Sequence, residues 1–110
     1  MTKRSFLGEF EQMVLLAMLQ QGDRAYAIGI REELVRCAGR EVSRGALYRT
    51  FDRLEAKGYI EWQVEDGSPV PDRGGHPMRS FVVTDAGIEA LRESRSALLK
   101  LWKGIEARLD

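Results

Sequence analysis

Residues 43–60 read SRGALYRTFDRLEAKGYI, and the pattern of this stretch sets the architecture expected of the whole chain. Ala46, Leu47, Phe51 and Leu54 fall on one dry stripe of an α-helix. Arg44, Tyr48, Arg49 and Arg53 occupy the other face. Ser43 is a good N-cap residue, and Gly58 after Lys57 is a stop signal. The stretch therefore predicts a helix over Ser43–Lys57, followed at once by a strand. A short helix with a buried back and a face of arginines and a tyrosine suits the major groove of DNA. Arginines on a helix are also an ordinary solvated face, with Asp52 and Glu55 available to pair with them. The flanking elements decide between the two readings.

Upstream, Leu7–Gln21 predicts a first helix, closed by the turn residues Gly22-Asp23. Its middle, Met13 to Leu19, is apolar on all sides, which predicts burial all round, with one side against another chain. Tyr26–Ala38 predicts a second helix, with Ile30, Leu34 and Ala38 inward and Arg31, Glu32, Glu33 and Arg36 solvated. Gly29 inside it costs roughly 1 kcal/mol against alanine, so close helix–helix approach is expected there. After Gly39 the linker Arg40-Glu41-Val42 leads into the basic helix, which is helix-turn-helix order.

Downstream, Ile60, Trp62 and Val64 alternate with Glu61, Gln63 and Glu65, the period of a strand over Tyr59–Glu65. Asp66–Met78, with Gly67, Pro69, Pro71, Gly74, Gly75 and Pro77, predicts a loop. Arg79–Thr84, carrying Phe81 and Val83, predicts a second strand. Strand, long loop and strand in this place form a wing beside the basic helix. The fold class expected is mainly α with a small antiparallel β-hairpin, a winged helix-turn-helix plus a carboxy-terminal dimerisation helix.

That order favours the nucleic-acid reading. Arg44 and Arg49 become candidates for guanine contacts, with Ser43 and the helix amino end on phosphate. Arg53 shares their face. Arg73, His76 and Arg79 of the wing would meet phosphate or the adjacent minor groove. Arg73 reads equally as a flexible exposed charge. Tyr48 either lies on the sugar–phosphate backbone or packs at the core's edge.

Thr84 and Asp85 open a last helix whose Ile88, Leu91, Arg95, Leu98, Trp102, Ile105 and Leu109 form a heptad seam broken only by Arg95. So much apolar surface on one helix predicts a partner chain. Trp102 is either an anchor of that seam or a stacking platform for an aromatic effector.

The 110 residues suit a single soluble unit, with 44% hydrophobic and 31% charged residues. The net charge of zero excludes a non-specific polyanion coat. Arg40, Arg44, Arg49, Arg53 and Lys57 outnumber Glu41, Asp52 and Glu55 only slightly on the basic segment. The one histidine, His76, sits between Gly75 and Pro77, a poor platform for catalysis. No phosphate-cradling glycine motif or metal-ligand spacing occurs, so no enzyme activity, metal or cofactor is expected. Cys37, the only cysteine, forms no internal disulfide and fits a reducing cytoplasm. It reads as a redox switch, an intermolecular bridge or a small buried hydrophobe. The Met13–Leu19 run is too short to span a membrane. No signal peptide is expected, and the location expected is cytoplasmic.

Leu7-Gly8-Glu9-Phe10-Glu11, Gly45-Ala46-Leu47-Tyr48 through Arg53-Leu54-Glu55, Lys57-Gly58-Tyr59-Ile60, and Arg73-Gly74-Gly75 with Arg79 and Thr84 together resemble the PadR-type transcriptional regulators. The likeness runs roughly from Leu7 to Leu91, and the carboxy end looks like the branch with a reduced, single-helix dimerisation region. The resemblance implies a winged-helix repressor of bacteria or archaea, binding a palindromic operator on double-stranded DNA and often released by a small-molecule effector. It implies a homodimer joined through the first and last helices, with Leu7, Phe10, Val14, Leu91, Leu98, Trp102 and Ile105 at the contact. Residues 1–84 would be the DNA-binding domain and 85–110 the dimerisation helix. The chain departs from the family pattern at Phe51, Ala27, Ser80-Phe81 and Asp85, none of them on the expected DNA face. The rival expectation is a protein-interaction module on the same scaffold that never touches DNA.

Overall fold

In the computed structural model, which describes residues 7–65 and 78–110, α1 spans Glu9–Gln20, α2 Ala27–Ala38 and α3 Arg44–Ala56. Strands β1, Ile60–Val64, and β2, Arg79–Val83, pair antiparallel before α4, Asp85–Trp102. Each predicted element forms, and all but the last helix keep within a few residues of their expected bounds. The caps are those the residue types imply: Ser43 Oγ accepts from the Ala46 amide, and Thr84 Oγ1 from the Gly87 amide. Gly39 and Gly58 take positive φ, +60° and +79°, where helices α2 and α3 stop.

The core gathers one stripe from each element. Val14, Leu15 and Met18 of α1 meet Ile30 and Leu34 of α2, Leu47, Phe51 and Leu54 of α3, Ile60 of β1 and Phe81 of β2. Phe51 and Phe81 stack with centroids 4.3 Å apart, which seats the hairpin against α3.

The hairpin also has a third neighbour. Ala25, in the α1–α2 connection, exchanges both backbone hydrogen bonds with Phe81, at 2.9 and 2.8 Å. At the wing's base Glu65 accepts from Tyr26 Oη at 2.7 Å and from Arg24 at 3.2 Å. Those contacts tie the hairpin to the turn between α1 and α2.

Four expectations are corrected. The last helix does not carry a heptad seam to Leu109: α4 ends at Trp102, and Gly104 at φ +89° starts a separate 3₁₀ turn, Glu106–Arg108. Ile105 therefore lies off the α4 stripe. Leu7 and Val14, expected at the contact with a second chain, sit inside this chain's own core, and the exposed apolar side of α1 is Leu16 and Leu19 instead. Gly29 faces the Gln21 side chain rather than a helix backbone. Cys37 is exposed, not a buried hydrophobe, and its thiol donates to Glu33 Oε2 at 3.3 Å.

Gly87 does mark a close approach. A Cβ there would collide with the Tyr59 carbonyl oxygen and fall 2.8 Å from Val83 Cγ1. The first turns of α4 thus rest directly on the hairpin. Past Leu91 the helix carries Leu98, Leu99, Leu101 and Trp102 largely exposed.

Candidate nucleic-acid interface

Helix α3 buries Leu47, Thr50, Phe51 and Leu54 and turns Arg44, Arg49 and Arg53 outward. Basic groups of the described residues differ in whether a carboxylate lies near them. Arg24, Arg36, Arg40, Arg53 and Lys57 each have a carboxylate in salt-bridge reach. Arg44, Arg49 and Arg79 have none among the described residues, nor do Arg31, Arg95, Lys100, Lys103 and Arg108. Of these, Arg44 and Arg79 converge on Tyr48, and Arg49 is exposed on α3 next to it in sequence. Unneutralised arginines side by side make a local positive face on a chain whose net charge is zero.

Tyr48 packs at the edge of the core, as the second of its two expected readings had it. Its ring packs edge-on against buried Phe51, with centroids 5.1 Å apart. The other side of the residue is half exposed, with the guanidinium of Arg44 5.4 Å and that of Arg79 6.0 Å from its centroid. The chain brings Arg79 there through two periodicities. Arg79 precedes Phe81 by two along β2, on one strand face, and Tyr48 precedes Phe51 by three along α3, on one helix face. Stacking Phe51 on Phe81 therefore sets Tyr48 beside Arg79.

Arg53 is less available than its neighbours. Its guanidinium donates to Thr50 Oγ1 at 3.1 Å and lies 3.9 Å from Glu11 of α1. Glu11 is nearly buried, accepts from the Gly8 amide at 3.0 Å and receives Lys57 Nζ at 2.8 Å. It draws the carboxy-terminal cations of α3 inward and leaves the amino-terminal ones free. Sequence reading missed Glu11, although an acid three residues past a cap position is a recognisable sign.

Ser43 is exposed at the amino end of α3. Arg73 and His76 lie outside the described residues, as does the expected loop up to residue 77. Of the expected dimer contacts, Phe10 is half buried beneath the Arg40 guanidinium, 4.8 Å away. Leu91, Leu98 and Trp102 line a groove of about 480 Å³ between α1 and α4, which Leu16 and Leu19 complete. Trp102, the candidate effector platform, lies at the far end of α4. Among the described residues no three of His, Cys, Asp and Glu converge as a metal site. No helix among them is long and apolar enough to cross a membrane.

A family model described as the transcriptional regulator PadR-like family matches residues 15–93. The fold is similar to that of a PadR family transcriptional regulator from Eggerthella lenta, at 25% identity and a TM-score of 0.67, covering 93% of this chain and 87% of that one. It is similar to a PadR-like regulator from Bacillus cereus, at 21% identity and a TM-score of 0.69, covering 92% and 91%. It also matches F93 from STIV, a winged-helix DNA-binding protein, at 17% identity and a TM-score of 0.68, covering 91% and 98%. None of the curated proteins matches the sequence.

Proposed function

The chain belongs to the transcriptional regulator PadR-like family, a family of regulators rather than enzymes, and from that premise we propose a sequence-specific repressor acting as a homodimer on a palindromic operator. The observation that carries the DNA contact is the convergence of Arg44 and Arg79 on Tyr48, with no carboxylate of the described residues in salt-bridge reach of them or of Arg49. In this reading α3 enters the major groove, Arg44 and Arg49 meet guanine edges, and Ser43 with the helix amino end meets phosphate. Arg53 contributes less, being shared with Glu11. Arg73 and His76 would reach the backbone from the wing.

Residues 1–84 form the reader in this proposal, and 85–110 hold two readers in register. Half-exposed Leu16, Leu19, Leu98 and Trp102 supply apolar surface for the second copy. Two α3 helices about 34 Å apart would then read successive major grooves. The groove beside Trp102 favours a second element, release by a small apolar or aromatic effector. The cell compartment proposed is the cytoplasm, where the DNA of such a regulator lies.

Selection of genomic DNA fragments by the purified protein, followed by sequencing, tests the reading. A recurrent palindrome, bound with an affinity that falls steeply with salt, is the expected result. Flat, salt-insensitive binding would instead support the protein-interaction module.

A further inference from the structure

We infer that Trp62 is a positioning residue of the nucleic-acid face, holding Arg79 ready for a DNA phosphate; the inference rests on the DNA-binding reading above. Trp62 lies on β1 opposite Phe81, so Arg79, two residues before Phe81, is its diagonal neighbour on the same face. The Arg79 guanidinium stands 4.5 Å from the centre of the Trp62 ring and 6.0 Å from that of Tyr48. With Arg44 5.4 Å from the same Tyr48 ring, successive contacts link the hairpin to the recognition helix: Trp62, Arg79, Tyr48, Arg44.

The arrangement explains an otherwise costly feature. Trp62 is 38% exposed, on a strand that buries only Ile60. An indole there covers the guanidinium without neutralising it. A ring beside the guanidinium accepts no strong hydrogen bond from it, so its N–H groups stay available for paired bonds to phosphate oxygens. An arginine already laid between two rings has surrendered much of its rotamer freedom before DNA arrives, so less is lost on binding. Arg79 flanks the exposed face of α3 rather than projecting from it, which suits the backbone beside the groove and not a base edge.

The test is the salt dependence of binding to the selected operator fragment, with thermal melts run alongside. Arg79→Ala should lower the slope of log affinity against log salt by about one. Trp62→Ala keeps the Arg79 charge, so it should weaken binding roughly 3- to 10-fold with a slope close to wild type, while Trp62→Phe keeps most of the wild-type affinity. The double variant should bind no worse than Arg79→Ala alone, because Trp62 acts through Arg79. Trp62→Leu, which keeps apolar bulk, replaces the alanine variant if that fails to fold. Wild-type affinity in the Trp62→Ala variant, or additive losses in the double variant, overturns the inference and leaves the DNA reading standing. Absence of salt-dependent DNA binding by the wild-type protein overturns both.

Discussion

Lys57 Nζ lies 2.8 Å from Glu11 Oε2, joining the end of α3 to the first turn of α1 across 46 positions of sequence. The pair does two jobs. It pins the carboxy-terminal end of α3 to the scaffold, and it removes cations from that end. The positive charge of α3 is thereby concentrated at Arg44 and Arg49, on the end of the helix nearer Arg79 of the hairpin.

Glu11 should make stability acid-sensitive. Burial pushes its carboxyl upward, but the Lys57 hydrogen bond, the Gly8 amide and the Lys57 and Arg53 charges outweigh burial and hold it below the ordinary value of 4.5. A carboxyl that titrates lower folded than unfolded stabilises the fold above the unfolded value, and loses that contribution as pH falls through the folded one. Urea denaturation should show wild type weakening below about pH 5 more steeply than Glu11→Gln. At neutral pH, Lys57→Ala should cost about 1–3 kcal/mol by leaving the carboxylate short of a partner. Equal acid dependence in wild type and Glu11→Gln would remove Glu11 as the source.

Arg49→Ala should weaken binding to the operator by about 1–3 kcal/mol and relax preference at one base-pair position. Arg53→Ala should cost less, since that side chain is shared with Glu11 and Thr50. Fluorescence anisotropy at one fixed salt concentration checks the order. Wild-type affinity for the Arg49 variant would show that the reader face is misassigned.

Gly87→Ala should destabilise the protein by about 1–3 kcal/mol, because the added methyl meets the Tyr59 carbonyl, and backbone cannot swing aside. Gly29→Ala is the contrasting case. Its methyl meets only the end of the Gln21 side chain, which can rotate away, so the change should gain up to about 1 kcal/mol from helix propensity. Paired thermal melts of the two variants decide the matter, and similar losses in both would contradict the distinction.

Cys37 should be a sluggish thiol despite its exposure. Its hydrogen bond to Glu33 holds the proton on sulfur and raises its pKa above the ordinary 9.0. At pH 7.5 alkylation by iodoacetamide should be slower than for an unstructured cysteine peptide, and Glu33→Gln should accelerate it. Cys37→Ser should leave operator affinity under mild oxidant unchanged. A large change in that affinity would restore the redox-switch reading.

Several features of this chain were legible along the sequence, because they are written in neighbouring residues. The dry stripe Leu47, Phe51, Leu54, the cap at Ser43, the stops at Gly39 and Gly58 and the hairpin strands all follow from local spacing and backbone preference. Gly104 was an equally local stop signal, overlooked because Ile105 and Leu109 continue the heptad count beyond it.

Other features had no local signature. Periodicity shows that Leu7, Val14, Leu16 and Leu19 are apolar, yet it cannot say which of them the chain itself covers, and folding buried the first two and left the others at the surface. The bridge from Ala25 to Phe81, the grip of Tyr26 and Arg24 on Glu65, and the placing of Arg79 between Trp62 and Tyr48 join residues far apart in the chain. The sequence alone determined that a basic helix would stand between a helix pair and a hairpin. Which arginines on it stay unneutralised was decided only by tertiary packing, because charge pairing depends on distance in space, and only the packed core brings Glu11 to Lys57 and Arg53 while keeping carboxylates of the described residues away from Arg44, Arg49 and Arg79.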